Sequence, residues 1–162
     1  MITFDELTEV LEFDPLVNSF RWKVSLNIKI KIGDIAGCLI PNGYRGIRFN
    51  GKDYKEHRLV WLYHHSVWPK RLDHINRVKD DNRIENLREV THQQNMFNTS
   101  AYKNNKLGVK NICVSKSFRY QVGFTLNGKV VYLGTFDTIE EAIEKRDIWS
   151  KENHGEFATL SK

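Results

Sequence analysis

Four residues in the middle of the chain have the types and order needed for chemistry at an oxygen centre. Asp73 and His74 are adjacent in LDHIN, Asn86 follows His74 by twelve residues, and Asn95 follows Asn86 by nine. An imidazole with a pKa near ~6.5 is largely neutral around neutral pH and can accept a proton from water. Carboxylate and carboxamide oxygens are hard donors, suited to Mg²⁺ or Mn²⁺. The two cysteines, Cys38 and Cys113, lie far apart and outside any paired spacing, which argues against a disulfide framework or a Cys-built zinc site. A metal in this chain must therefore sit on oxygen or imidazole. Taken singly, an Asp-His pair is ordinarily a surface hydrogen-bonded pair, and an Asn near a strand end is ordinarily a turn former. What favours a site is the order of the four and the elements around them.

Those elements can be read from periodicity and caps. A strand ending in Asp73-His74, a loop rich in Asn, Asp and Lys, a short strand over Leu87 to Val90 and a helix starting after Thr91 would bring Asp73, His74 and Asn95 together. Thr91-x-x-Gln94 supplies the capping box for that helix. Upstream, Thr3-x-x-Glu6 caps a short amphipathic helix carrying Leu7, Val10 and Leu11, which ends before Pro15. Phe20 to Val24 reads as a strand, and YRGIRF, Asn50-Gly51 and KDYKEHR read as a hairpin on a tight turn. HRLVWLYHHSVW, from His57 to Trp68, carries Leu59, Leu62, Tyr63 and Val67 on a helical stripe and stops at Pro69. His57, His64, His65 and His92 read as structural or DNA-facing; His64 and His65 are adjacent on a helix and cannot both face one point.

HRLVWLYHHSVWP, LDHIN, DNRIENLREVT and QQNMFN, in that order and at compatible spacing, resemble the HNH endonucleases, specifically the phage-type homing branch whose last motif position is Asn. The resemblance covers roughly residues 44 to 98. It implies a ββα-metal fold holding one divalent cation, Mg²⁺ or Mn²⁺, with Asp73 and Asn95 as ligands and His74 as general base. It gives Asn86 the task of bracing the loop and orienting His74. The first position here is Asp-His in place of a His pair and the third is Asn95 in place of His, which disfavours zinc or nickel. Phosphodiester hydrolysis needs a water deprotonated in line with phosphorus and a counter-charge for the developing oxyanion, and these residue types can provide both.

Charge is distributed unevenly. The 162 residues carry a net +5 and are 40% hydrophobic and 12% aromatic, an ordinary globular composition with a slightly basic balance. Residues 1 to 14 hold −5, residues 15 to 52 hold +6, residues 53 to 100 hold +1, residues 101 to 130 hold +6 and the remainder −3. Two basic strips thus flank a nearly neutral segment containing the candidate site, an arrangement suited to a polyanion. Arg21, Lys23, Arg45 and Arg48 on predicted strands, and Arg77 in the loop after His74, are the candidate DNA contacts of the first half.

NTSAYKNN reads as a linker over 99–106, and a second unit follows at 107–162. Val109 to Val114, Tyr120 to Leu126 and Val130 to Thr135 are strand candidates, the last two separated by Asn127-Gly128. Thr138-x-x-Glu141 caps a helix that Gly155 is placed to end. LGVKNICVSKSFRYQVGF, VVYLGTFDTIEEAIEKRD and NHGEFATL resemble the Apetala2 or ethylene-response-factor DNA-binding domain, which implies a three-stranded sheet laid into the major groove and backed by the helix. Strand alternation puts Tyr120, Val122 and Phe124 on one face and Arg119, Gln121 and Thr125 on the other. The candidate DNA contacts here are Lys110, Asn111, Lys116, Arg119, Gln121, Lys129 and Tyr132. Arginines are fewer than in the plant factors, so bidentate base readout is limited.

The expected fold class is therefore α+β: a ββα-metal nuclease module within residues 1–98, then a three-stranded antiparallel sheet packed on one helix. The expected partner is double-stranded DNA, with no obligatory protein partner and a monomer that nicks one strand. No run approaches the ~18 apolar residues of a membrane helix, and the N-terminus is acidic where a signal peptide is basic, so a cytoplasmic protein without a membrane partner is expected, and the resemblance implies a phage-encoded one acting in a bacterial host. The rival readings are a non-catalytic DNA-binding regulator and a nuclease without sequence preference.

Overall fold

The computed structural model describes residues 1–99, 101, 105, 107–126, 128–158 and 160. The chain divides into two compact units, Met1–Thr91 and His92–Lys162. The division falls ahead of the expected linker over 99–106, much of which lies outside the described residues, as do Lys103, Lys106 and the Asn127 of the second hairpin turn.

In the first unit, α1 (Phe4–Val10) starts from the capping box: the Thr3 hydroxyl accepts from Glu6 N, and the Glu6 carboxylate accepts from Thr3 N. The helix is shorter than its apolar spacing predicts. Leu11 already belongs to β1 (Leu11–Asp14), which pairs antiparallel with β2 (Ser19–Trp22) in register Leu11↔Trp22. The turn between them is held by Asp14, whose carboxylate accepts from Leu16 N at 2.9 Å across Pro15. Leu7, Leu11, Phe20 and Trp22 are buried in one cluster, so the strand serves the same core as the helix.

A two-residue strand, β3 (Cys38–Leu39), joins β4 (Arg45–Phe49) and β5 (Lys52–Lys55) in a sheet of order β3-β4-β5. Asn50 and Gly51 both have positive φ, 51° and 72°, as the tight turn between β4 and β5 requires. Then α2 (Glu56–His65) buries Leu59, Val60 and Leu62 against the core. It stops before Pro69, on Ser66 in the left-handed region, whose N–H donates to Leu62 O. β6 (Leu72–His74) and β7 (Leu87–Glu89) form a two-stranded antiparallel sheet joined by a long loop whose last residues, Ile84–Asn86, make one 3-10 turn.

The second unit begins with the short helix α3 (His92–Phe97). β8 (Ile112–Val114), β9 (Tyr120–Leu126) and β10 (Lys129–Phe136) form an antiparallel sheet of order β10-β9-β8. β8 is shorter than the apolar run from Val109 suggests, because Asn111 takes a left-handed φ of 66° and breaks it. α4 (Ile139–His154) starts from the Thr138–Glu141 capping box and ends at Gly155, whose φ is 53°. Its Ala142, Ile143 and Trp149 share an apolar cluster with Ile112, Val122 and Phe124. Val122 and Phe124 face that cluster and Thr125 is exposed, as the alternation predicts. No helix among the described residues is long and apolar enough to cross a membrane.

The first unit turns on a close backbone approach at Gly37. Its φ is +76°, and a Cβ there would sit 2.6 Å from Ile47 Cγ1 and closer still to the Gly46 carbonyl oxygen. Gly37→Ala should therefore destabilise this unit by about 2 kcal/mol or more, visible as a lower urea midpoint. Gly33→Ala, at φ +88° with open space around it, should cost less because only the backbone strain is present.

Candidate active site

The β6–β7 pairing decides where the acid and the imidazole point. Asp73 pairs with Arg88 and His74 with Leu87, and successive side chains on a strand leave on opposite faces. On one face the Asp73 Oδ2 accepts from Arg88 Nη2 at 3.1 Å and Nε at 3.3 Å, with the two side chains only 11% and 13% exposed. On the other face His74 turns inward and is 6% exposed. The adjacent Asp-His pair thus splits into a carboxylate and a buried imidazole on the two sides of one strand.

The loop after β6 is tied down by Asn86. Its Oδ1 accepts from Asn76 N at 3.0 Å, and its Nδ2 donates to Asn76 Oδ1 at 3.0 Å and to Asp81 O at 2.8 Å. Its backbone carbonyl accepts from Ile75 N at 2.9 Å. Asp81 reinforces the loop through Arg83 at 2.7 Å and Asn76 at 2.6 Å, and the Arg83 guanidinium pulls the Asp81 carboxyl down to about 2. Arg77, with a left-handed φ of 66°, donates its N–H to His74 O at 3.0 Å and closes the first turn of the loop. The carboxamide of Asn86 is therefore spent on the loop.

One hydrogen bond of the imidazole is made with a residue the sequence pattern did not single out. His74 Nε2 lies 3.2 Å from Asn82 Oδ1, and Asn82 Nδ2 donates to Glu56 Oε2 at 2.9 Å. Glu56, the first residue of α2, is 0% exposed. Its carboxylate also accepts from Ser19 Oγ at 2.5 Å and from Arg45 Nε at 2.7 Å. Burial of a carboxylate is tolerable only with such a set of donors. A signal for Glu56 existed: it lies three and four positions before Leu59 and Val60, on the buried face of α2 where a charge is out of place. For Asn82, in KDDNR, no sequence signal separates it from a turn former.

Aromatic rings complete the surroundings of His74. His57 meets it edge-on with ring centroids 5.0 Å apart, and the Tyr44 ring lies 5.9 Å from His74 and 5.2 Å from His57. Burial, with smaller contributions from His74, Lys55 and Arg58, pushes the His57 imidazole down to about 3. His57 is therefore a neutral ring near neutral pH, and its Nδ1 is without a hydrogen-bond partner among the described residues. His64, His65 and His92 are exposed.

Asn95 lies on α3, in the second unit, half-buried. The placement of α3 with that unit has a visible cause. The Lys110 ammonium donates to the carbonyls of Met96, Phe97 and Thr99 and to Thr99 Oγ1, and the Phe97 ring stacks on His154 at 3.5 Å. Burial, with Arg146 nearby, lowers the Lys110 amine to about 8. Lys110 is thus turned onto the end of α3. Asp73 in the first unit offers carboxylate oxygens and Asn95 in the second a carboxamide oxygen, each a hard donor of the type that suits a hard divalent cation. Among the described residues no group of three His, Cys, Asp or Glu is placed to hold a metal ion.

The basic residues expected to meet DNA are variously engaged. Arg21 pairs with Asp14 at 2.6 Å, Lys23 donates to Thr8 O at 2.6 Å, and Arg45 is committed to Glu56. Arg48 pairs with Asp53 at 2.9 Å with both side chains exposed, and Arg119 pairs with Asp137 at 2.5 Å. Lys116 and Lys129 are exposed, Asn111 and Gln121 are half-buried, and Tyr132 is 59% exposed with its hydroxyl against Thr135 Oγ1.

Residues 54–97 match the HNH endonuclease family. That stretch runs from β5 through α2, β6, the braced loop and β7 to α3, and it contains Asp73, His74, Asn82, Asn86 and Asn95. Over 91 residues the chain is 35% identical to a protein described as an uncharacterized HNH endonuclease of Acanthamoeba polyphaga mimivirus, a match covering 56% of this chain. The chain spans about half the length of that relative, 46%. No solved structure matches the chain.

The neutral His57 carries a stability signature. The unfolded chain protonates this imidazole below about 6.5, whereas the folded chain resists until about 3. A depressed histidine therefore contributes stability that is fully present above 6.5 and is lost as pH falls toward 3. Urea midpoints should drop from pH 7.5 to pH 4.5, and His57→Phe should drop distinctly less over that interval. Equal acid losses in the two proteins would show that His57 is not the source.

Proposed function

We propose that this chain is a metal-dependent DNA endonuclease of the HNH homing type. The observation that carries the reading is a buried, hydrogen-bonded imidazole on the first strand of a β-hairpin, one residue after a carboxylate on the opposite face, within the stretch that matches the HNH endonuclease family. In this reading His74 takes the proton from the water that attacks phosphorus. Asn86 keeps the loop from Ile75 to Arg83 in one conformation, so that the strand end bearing His74 is held still. Asp73 and Asn95 would hold one Mg²⁺ or Mn²⁺, which supplies counter-charge to the scissile phosphate when bound. The His57 ring, neutral near neutral pH, and the Tyr44 ring lie against His74. The products are 5′-phosphate and 3′-hydroxyl ends.

Duplex DNA is the substrate in this reading, and a monomer with one site nicks one strand per binding event. Arg48, Lys116, Lys129 and Tyr132, exposed on their strands and turns, are the readiest of the expected contacts. The β8–β10 sheet, through its Apetala2-like sequence, is assigned the second grip on the duplex, raising the effective concentration of the nuclease site.

The test is nicking of supercoiled plasmid. With Mg²⁺ or Mn²⁺ the wild type should produce open circles, and His74→Ala should be slower by about 10²–10⁴-fold. Asn95→Ala should raise the Mn²⁺ concentration needed for half-maximal nicking. Absence of metal-dependent nicking by the wild type overturns the reading, and DNA binding retained without cleavage points to a regulator. Run-off sequencing of the nicked strand separates a defined site from scattered cuts.

A further inference from the structure

We infer that Asn82 is a positioning residue that sets the tautomer of His74, keeping its proton on Nε2 and its lone pair on Nδ1, and that Glu56 dictates the orientation of Asn82. The general-base role of His74 rests on the reading above; the tautomer itself does not.

The buried carboxylate of Glu56 fixes the first direction. Glu56 is ion-paired with Arg45 at 2.7 Å and also accepts from Ser19 Oγ. An ionised carboxylate only accepts hydrogen bonds. The end of the Asn82 carboxamide that meets it at 2.9 Å must therefore be the NH₂ group. A flipped amide would set its oxygen against Glu56 Oε2, and with Glu56 and Asn82 both buried no solvent shell would soften that repulsion. Asn82 Oδ1 is thereby committed to the other side, where His74 Nε2 lies 3.2 Å away. A carbonyl oxygen only accepts, so Nε2 must carry hydrogen. In the neutral form an imidazole has one N–H, so with Nε2 bearing the hydrogen the lone pair of that form is on Nδ1.

The order of charges makes this a directional device. Arg45 fixes Glu56, Glu56 fixes the Asn82 amide, and Asn82 fixes the ring. The elements involved are β4, the start of α2, the braced loop and β6, so the orientation of one imidazole is written into four parts of the first unit. Asn86 shares in this only through the loop, since it holds Asp81 O, one residue before Asn82.

The test is ¹⁵N NMR of the full chain labelled at histidine, near pH 7.5, with the His74 signals assigned by their loss in His74→Gln. The wild type should show a slowly exchanging Nε2–H and a pyridine-type Nδ1. In Asn82→Leu, which keeps similar volume without an acceptor, the Nε2–H should exchange faster and both nitrogens should move toward averaged shifts. With plasmid substrate and Mg²⁺, Asn82→Leu should lose about 10–100-fold in kcat with KM nearly unchanged. A wild-type His74 protonated on Nδ1 overturns the proposal, whether or not the protein nicks DNA. So does a folded Asn82→Leu with unaltered His74 shifts and kcat. The expected tautomer in a wild type that nicks no DNA supports the hydrogen-bond assignment while removing the endonuclease reading.

Discussion

The first unit depends on a carboxylate placed where a carboxylate should not be. Glu56 begins α2 on its apolar face and is fully buried, and three side chains from separate parts of the chain converge on it: Ser19 from β2, Arg45 from β4 and Asn82 from the loop before β7. Removing a charge from water costs several kcal/mol, and only a complete set of donors offsets this. That requirement ties the N-terminal hairpin, the β3–β5 sheet and the β6–β7 loop to the same helix end. A hydrophobic residue could have filled the volume, but it could not have specified the direction of the Asn82 amide.

Intramolecular partners, Glu56 among them, make the first basic strip less available to a polyanion than its charge suggests. Of the residues expected to face DNA, Arg45 serves Glu56, Arg21 serves Asp14, and Lys23 serves the Thr8 carbonyl. Exposed pairs such as Arg48 with Asp53 contribute little stability and exchange partners readily. The segment charge of +6 is therefore partly structural. In the second unit Lys110 shows the same diversion: its ammonium donates to the carbonyls of Met96 and Phe97 at the end of α3, where helix carbonyls lack intrahelical partners.

Much of the architecture was legible because it is local. The capping boxes at Thr3 and Thr138 start helices where the hydroxyl and the carboxylate reach the first turn, and the Asn50-Gly51 turn follows from the ease with which those residues take positive φ. The Val122 and Phe124 face of β9 follows from the two-residue period of a strand. Two element boundaries depart from the periodicity, one for a non-local reason and one for a local one. Leu11 leaves the helix because pairing with Trp22 buries it better, and β8 starts late because Asn111 takes a left-handed turn.

At the candidate site, the sequence alone determined residue types, order and spacing: an acid beside an imidazole, a loop, and an asparagine that closes it. Those follow from side-chain chemistry and from turn and strand preferences acting over a few residues. Only the tertiary structure decided that Asp73 and His74 leave opposite faces of β6, that Asn86 spends its amide on the loop, and that Asn82 and Glu56 hold the ring. The physical reason is that a hydrogen bond between residues 26 positions apart, or an ion pair between a strand and a helix end, leaves no periodic trace in the sequence. A buried polar group must find its partners wherever the fold brings them.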